Sequence, residues 1–77
     1  RRHRYWVLKY LETQIGQEAE ALVLIKRRSS YRVLLPDVMV ECDMAIHNGI
    51  ELKPEDLVQV TYQRISARKD EIVLQIG

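Results

Sequence analysis

The spacing of apolar residues changes once along the chain, near Gly16. Over residues 3–14, apolar side chains recur at intervals of three and four, which predicts a helix with one apolar face. Gly16 itself is typical of the position that follows a helix. The chain is therefore divided into a helix within residues 1–15 and a second unit in residues 16–77.

The second unit contains five runs of residues with the patterns of short β-strands. They lie at residues 18–26, 31–35, 38–42, 57–65 and 72–76. The first run is almost continuously apolar, which is typical of a strand buried over much of its length. The fourth alternates between apolar and polar residues. Residues 43–56 lack alternation and contain Asn48-Gly49 and Pro54, which predicts a loop.

Five short strands, with the longest interruption between the third and the fourth, favour an all-β fold. The expected architecture is a five-stranded Greek-key barrel of the OB type, preceded by one N-terminal α-helix. Closing the sheet also removes the unpaired strand edges that so short a chain could not cover otherwise. In an OB-type barrel, the loops after the first and fourth strands flank the ligand face.

Charged residues are segregated along the chain, although the net charge is only +1. Residues 1–14 hold four basic residues and one acidic residue, and most of the other acidic residues lie between positions 37 and 56. Two basic clusters coincide with the predicted loops after the first and fourth strands. They contain Lys26, Arg27, Arg28, Arg32, Arg64, Arg68 and Lys69. Because basic side chains neutralise phosphates, this coincidence predicts a polyanion across the barrel, most plausibly single-stranded nucleic acid.

Length and composition argue against an independent enzyme and against a membrane span. A chain of 77 residues forms one small domain, and its longest apolar run, Ala21–Ile25, is far shorter than the ~20 residues of a transmembrane helix. No signal peptide is expected, because the basic start continues into an amphipathic stretch. The single Cys42 favours a reducing compartment. Two histidines and one cysteine do not complete a four-ligand zinc site without carboxylates.

Four sequence motifs carry a resemblance to a known family. They are Arg4-Tyr5-Trp6-Val7-Leu8-Lys9-Tyr10-Leu11-Glu12, Tyr31-Arg32-Val33-Leu34-Leu35, Pro54-Glu55-Asp56-Leu57-Val58-Gln59-Val60 and Arg68-Lys69-Asp70-Glu71-Ile72-Val73-Leu74. Together they resemble the C-terminal end of ribonuclease II / ribonuclease R (RNB) family exoribonucleases. The first motif resembles the helix that closes the family's catalytic domain. The other three are similar to the ribosomal-protein-type OB domain that binds RNA.

The resemblance implies that the chain is an accessory single-stranded RNA-binding module. The parent protein would be a processive, magnesium-dependent hydrolase that degrades RNA from its 3′ end. Magnesium and the metal-binding aspartates would belong to the upstream catalytic domain of the same polypeptide, so no catalytic residue, metal or cofactor is expected in this chain. The implied compartment is a bacterial or organellar cytoplasm, without a membrane partner.

The second and third strands depart from the family's usual pattern. Ser29-Ser30 replaces a glycine turn, and Arg32 occupies the outward position where a stacking phenylalanine is common. Glu41 replaces a frequent histidine, and its carboxylate would repel phosphate. We therefore expect weak binding, mainly through phosphate contacts from the basic loops.

The predicted RNA-binding residues combine the basic clusters with one aromatic residue. They are Lys26, Arg27, Arg28, Tyr31, Arg32, Arg64, Arg68 and Lys69. Arg32 is expected either to stack on a base and meet phosphate or to be an ordinary solvated arginine. Alternation places Tyr31 and Tyr62 on the inward side, where a core role is favoured, with their phenol groups at the rim as the alternative.

Other chemistry is less well supported by the sequence. Glu41 and Asp43 share a strand face, and a solubilising acidic edge is favoured over a metal site. Cys42 and His47 are close in sequence, but a small buried apolar role for the thiol is favoured over a catalytic pair.

A second hypothesis from another class is a protein-docking or interdomain barrel with vestigial RNA contact. On this hypothesis, the acidic third strand and the helix would hold neighbouring domains or a partner. The stripe of Trp6 and Tyr10 is expected to be core packing that meets the catalytic domain in the parent, and otherwise to fold back on the barrel or self-associate.

Overall fold

The structure of the chain is a computed structural model that describes residues 2–47 and 49–77. Arg1, and Asn48 of the Asn48-Gly49 pair in the predicted loop, lie outside the described residues. The described chain forms one helix followed by five strands. Helix α1 spans Arg2–Leu11 and continues into a short 3-10 turn over Glu12–Gln14. The strands are β1 (Glu18–Lys26), β2 (Ser30–Leu35), β3 (Val40–Ala45), β4 (Leu57–Ser66) and β5 (Glu71–Ile76).

The five strands form one antiparallel sheet in the order β3-β2-β1-β4-β5. Strand β1 is shared, because Leu22 pairs with Leu34 of β2 on one side and with Leu57 of β4 on the other. A register shift between Val23 and Ile25 marks a bulge, which bends the strand and increases its twist. The two outer strands, β3 and β5, contact each other. The sheet is therefore nearly closed, which confirms the predicted five-stranded Greek-key barrel of the OB type with one N-terminal helix.

The predicted third strand, 38–42, was misplaced, and the predicted loop 43–56 began too early. Residues 36–39 form a turn in which the backbone N–H of Met39 donates to the carbonyl of Leu35, and Met39 has a φ of 54°. Strand β3 begins at Val40 and pairs with β2 along its whole length, as far as Ala45. The pairing with β2 therefore extends the third strand into residues that look loop-like by themselves.

The core is filled by inward-facing residues of all five strands and by two leucines of α1. Val33 and Leu35 face inward on β2 as predicted, and Cys42 is buried on β3. Leu8 and Leu11 of α1 are 0% and 1% exposed and belong to the same apolar cluster. The helix thus packs on the barrel and completes its core.

The end of the helix is tied to the loop between β4 and β5. The backbone N–H of Ala67 donates to a carboxylate oxygen of Glu12 at 2.8 Å. This hydrogen bond holds the pKa of Glu12 below its ordinary value. The position of α1 against that loop is therefore defined by a polar contact as well as by apolar packing.

Trp6 and Tyr10 do not fold back on the barrel, which was one of the expected alternatives for this stripe. Their exposed fractions are 64% and 56%, because the helix turns Leu8 and Leu11 toward the barrel instead. Both faces of α1 carry apolar residues, so the periodicity of three and four does not decide which one is buried. The aromatic side of the helix faces outward.

Candidate nucleic-acid interface

The loops after β1 and β4 lie at opposite ends of β3. At one end, Ala45 of β3 pairs with Ser30, which follows the β1–β2 loop directly. At the other end, Arg4 of α1 donates from Nε to a carboxylate oxygen of Asp70 at 2.6 Å and from Nη1 to the carbonyl oxygen of Glu41 at 2.8 Å. This bridge places the β4–β5 loop beside Glu41.

The two basic loops therefore flank a common face without meeting each other. From Glu41 to Ala45, strand β3 alone spans about 13 Å at about 3.3 Å per residue. Between the loops lies the outer face of β2 and β3, on which Glu41 and Asp43 are exposed. A ligand that touches both loops must cross this acidic strand.

Most of the predicted loop cations have no acidic partner. Five of them are exposed, and none has a salt bridge within residues 2–47 and 49–77. They are Lys26, which is the last residue of β1, and Arg27, Arg28, Arg68 and Lys69 of the two loops. Both loops are closed by backbone hydrogen bonds, from Arg27 N–H to the Ser30 carbonyl at 2.7 Å and from Asp70 N–H to the Ala67 carbonyl at 3.2 Å. The fold therefore presents these cations to solvent on compact turns.

Arg32 is engaged with the acidic residues of the neighbouring strand. It lies opposite Asp43 in the β2–β3 ladder, and its guanidinium contacts Asp43 at 3.2 Å and Glu41 at 3.3 Å. Burial by itself would lower the pKa of Arg32, but the two carboxylates together raise it. The side chain is 32% exposed. A base or phosphate at this position would have to compete with two ion pairs.

The other predicted arginine on a strand is also paired. Arg64 of β4 contacts a carboxylate oxygen of Glu71 on β5 at 2.9 Å. Its side chain remains 66% exposed, so the pair is a surface interaction of small energy. The seven predicted basic residues thus divide into five without described acidic partners, four in the loops and Lys26 at the end of β1, and two strand arginines with compensated charge.

Tyr31 does not belong to the candidate interface. Its exposed fraction is 1%, and its hydroxyl accepts a hydrogen bond from the backbone N–H of Leu52 at 3.1 Å. Tyr62 is 5% exposed, and burial raises its pKa. The core role favoured by alternation is correct for both rings, and Tyr31 is removed from the set of RNA-binding residues because a buried ring cannot stack on a base.

A groove of about 470 Å³ lies between α1, the outer face of β2 and β3, and the start of β5. It is lined by Arg4, Arg32, Cys42, Asp43, Asp70 and Ile72. Burial raises the pKa of the Cys42 thiol to about 11. The thiol is therefore protonated at neutral pH and is a poor nucleophile or metal ligand in the groove. His47, the other member of the catalytic pair considered from the sequence, is exposed beyond the end of β3.

Sequence reasoning missed a row of leucines on the outside of the sheet. Leu34, Leu22 and Leu57 are consecutive partners across β2, β1 and β4, and Leu57 is 61% exposed. Glu41 of β3 pairs with Leu34 and ends the row. The continuous apolar run of β1 contained the signal for this row, but it was interpreted as a strand buried over much of its length.

Two further properties bear on the kind of site. In the part of the chain that the structure describes, no group of three or more His, Cys, Asp or Glu side chains is placed to hold a metal ion. Over the same residues, no helix has both the length and the apolar character needed to cross a membrane.

The fold defines a class of protein: a small OB-type barrel with a packed N-terminal helix. No protein-family model matches the chain, and no curated protein matches its sequence.

Proposed function

We propose that the chain is an accessory module that binds single-stranded RNA, mainly through phosphate contacts from the loops after β1 and β4. The observation that carries this proposal is the distribution of ion pairs. Four cations in these two loops, and Lys26 at the end of β1, have no acidic partner among the described residues, whereas Arg32 and Arg64 farther along the strands do. Unpaired cations favour phosphate binding, because they release the counterions of the nucleic acid.

The geometry of the barrel favours weak binding with little sequence preference. A stacked base contributes about 1–3 kcal/mol, and micromolar affinity requires about 8 kcal/mol. Both tyrosines of the barrel are buried, so its strands offer no aromatic platform. Glu41 and Asp43 repel phosphate at the centre of the face, which leaves the two loops as the main contacts.

The proposal includes the parent protein implied by the sequence motifs. The module would belong to an RNB-type 3′-to-5′ exoribonuclease whose upstream domain supplies the magnesium site and the catalytic aspartates. The support for this part is the resemblance of residues 4–12 and of the barrel motifs. The module itself would grip the substrate and take no part in the hydrolysis.

In the test, a labelled oligouridylate of about 12 nucleotides is titrated with the protein, and binding is measured by fluorescence anisotropy. This length is within the site size of an OB fold. Between about 50 and 200 mM salt, log K should fall with a slope of about 0.7 per phosphate contact. Replacing Arg27, Arg28, Arg68 and Lys69 by glutamate should weaken binding by at least about a hundredfold. The matched variant with Arg27 and Arg28 replaced by lysine keeps the charge and should bind like the wild type.

A flat response to salt would contradict the electrostatic account. So would wild-type affinity in the variant with four glutamates, provided that its circular dichroism spectrum is unchanged. Wild-type affinity of the charge-reversed variant would also favour the second candidate function.

That second candidate is a docking barrel for a neighbouring domain or a partner protein. The row of half-buried Leu22 and Leu34 and exposed Leu57 on the outside of the sheet favours it, because exposed apolar patches mark contact surfaces. On this hypothesis, Leu57→Ser in the complete parent protein would lower its activity, while the four charge reversals would leave that activity intact. RNA binding predicts the opposite pattern.

A further inference from the structure

The exposed aromatic residues of the protein are all on α1. The chain has four tyrosines, one tryptophan and no phenylalanine, and the two tyrosines of the barrel are buried. Tyr5, Trp6 and Tyr10 are 40%, 64% and 56% exposed. We call these three residues the helix aromatic cluster. Apolar packing within the fold does not account for it, because α1 is anchored through Leu8 and Leu11 on its other side.

Two of the three rings are held in a defined arrangement. The ring centroids of Tyr5 and Trp6 are 5.1 Å apart, and their planes are inclined by 82°. This edge-to-face contact is a favourable geometry for aromatic pairs. It restrains both rings while leaving them exposed, and a surface that is ordered before binding loses less entropy when a ligand arrives.

The helix aromatic cluster adjoins one of the two cationic loops. Arg4 bonds to Asp70 at 2.6 Å, and Glu12 accepts from the Ala67 N–H at 2.8 Å, so both ends of α1 are joined to the β4–β5 loop. Tyr5 lines a cavity of about 240 Å³ together with Arg4, Ala67 and Asp70. Tyr5 therefore lies beside the loop that carries Arg68 and Lys69, and Trp6 adjoins this surface through its contact with Tyr5. Tyr10 lines a different pocket, together with Gln14 and Asp37.

The charge of this surface selects the kind of partner. The adjoining loop adds Arg68 and Lys69, which have no salt bridge within residues 2–47 and 49–77, whereas Arg4 and Lys9 of the helix are paired with acids. The two acids of the region are already engaged, Glu12 with Ala67 and Lys9, and Asp70 with Arg4. Aromatic rings beside cations without acidic partners are the composition of single-stranded nucleic-acid sites.

We propose that the helix aromatic cluster is a base-stacking platform, with Trp6 as its main ring, for the RNA strand whose phosphates contact the β4–β5 loop. This inference rests on the proposed function and locates the stacking that the barrel strands lack. The RNA then runs from α1 over the β4–β5 loop toward the face of β2 and β3. Base stacking takes place beside the barrel, and the outer face of the strands contributes little.

Trp6 is the only tryptophan of the chain, so its fluorescence tests the proposal directly. Titration with the same oligouridylate should quench the Trp6 emission over the concentration range in which the anisotropy of the labelled RNA rises. Trp6→Leu should weaken binding by about tenfold and leave the salt slope unchanged, since no phosphate contact is removed. Trp6→Phe keeps a stacking ring and should retain most of the affinity.

The control substitution is Met39→Ala, which removes an equally exposed apolar side chain in the turn between β2 and β3. It should bind RNA like the wild type. Each variant is compared with the wild type by circular dichroism, and little change is expected because both side chains are mostly exposed.

Several outcomes would overturn the inference. Salt-dependent RNA binding without any change in Trp6 emission, together with wild-type affinity of Trp6→Leu, would disprove the platform and leave the proposed function intact. Equal weakening by Trp6→Phe and Trp6→Leu would exclude stacking as the cause. A third outcome would be a wild type that self-associates in sedimentation equilibrium and a Trp6→Leu variant that is a monomer with unchanged RNA affinity. This result would show that a second copy of the chain occupies this face. Absence of RNA binding at any salt concentration would remove the proposed function itself.

Discussion

The outer face of β2 and β3 and the exposed face of α1 differ in how their charged and aromatic groups are used. On the strands, Arg32 is neutralised by Glu41 and Asp43, and Tyr31 is buried. On the helix, Tyr5 and Trp6 are exposed near the β4–β5 loop, whose Arg68 and Lys69 have no acidic partner among the described residues. The part of an OB-type barrel where ligands are expected thus has its groups satisfied internally. The groups available to a nucleic acid lie at its periphery.

The difference has a simple physical origin. Antiparallel pairing puts an outward residue of one strand directly opposite an outward residue of the next, so Arg32 meets Asp43 across the ladder. A helix that packs on the end of a barrel has no neighbour on its far side. Side chains there are exposed unless another molecule covers them.

The largest expected effect distinguishes the two faces of the helix. Leu8→Ala should lower the free energy of unfolding by about 2–5 kcal/mol, because Leu8 is completely buried and its removal leaves a cavity. Trp6→Ala should change the free energy of unfolding by no more than about 0.5 kcal/mol. Urea denaturation followed by circular dichroism measures both. Equal losses would mean that the aromatic side of α1 is packed in solution.

A smaller effect is expected from removing the acids of the strand face. Glu41→Gln with Asp43→Asn should strengthen RNA binding by about fivefold, since the repulsion of a phosphate near these charges is about 1 kcal/mol in water. The matched control is Glu18→Gln with Glu20→Gln, two exposed acids on β1 away from β3. Anisotropy titrations at low salt compare the two variants. A loss of affinity on neutralising the β3 acids would show that their pairing with Arg32 supports the bound state.

The smallest expected effect concerns the hydrogen bond that ties α1 to the β4–β5 loop. The pKa of Glu12 is lowered in the folded chain, so its contribution to stability is present above the ordinary value of 4.5 and is lost as the pH falls through the lowered pKa. Glu12→Gln should therefore be slightly less stable than the wild type at neutral pH. Urea denaturation at several pH values should show this difference disappearing in acid. If the stability difference between the wild type and Glu12→Gln instead grew in acid, the stabilising role of the ionised Glu12 carboxylate would be contradicted.

Local patterns were sufficient for most of the fold. The change of period at Gly16, the alternation of β4 and the turn-like residues between strands predicted one helix, five strands and their Greek-key order. The third strand was misplaced, because Val38 and Met39 look like strand residues while Asp43 looks like part of a loop. Only the pairing with β2 shows that the strand runs from Val40 to Ala45.

The candidate site was predicted less completely. The loop cations were found from sequence, because charge and turn position are both visible along the chain. Arg4 was not found as a bridge, since its partner Asp70 lies 66 residues away. The burial of Tyr31 was favoured by alternation, but its bond to the Leu52 N–H depends on a loop whose course local patterns do not reveal.

Periodicity and turn chemistry depend on residues a few positions apart, so they can be recognised along the chain before any folding is considered. They account for the helix, the strands and the two basic turns. Closure of the barrel set the remaining features: which side of α1 was buried, which cations found acidic partners, and where the aromatic rings were exposed. These features arise from contacts between distant segments, where shape and register outweigh local preference.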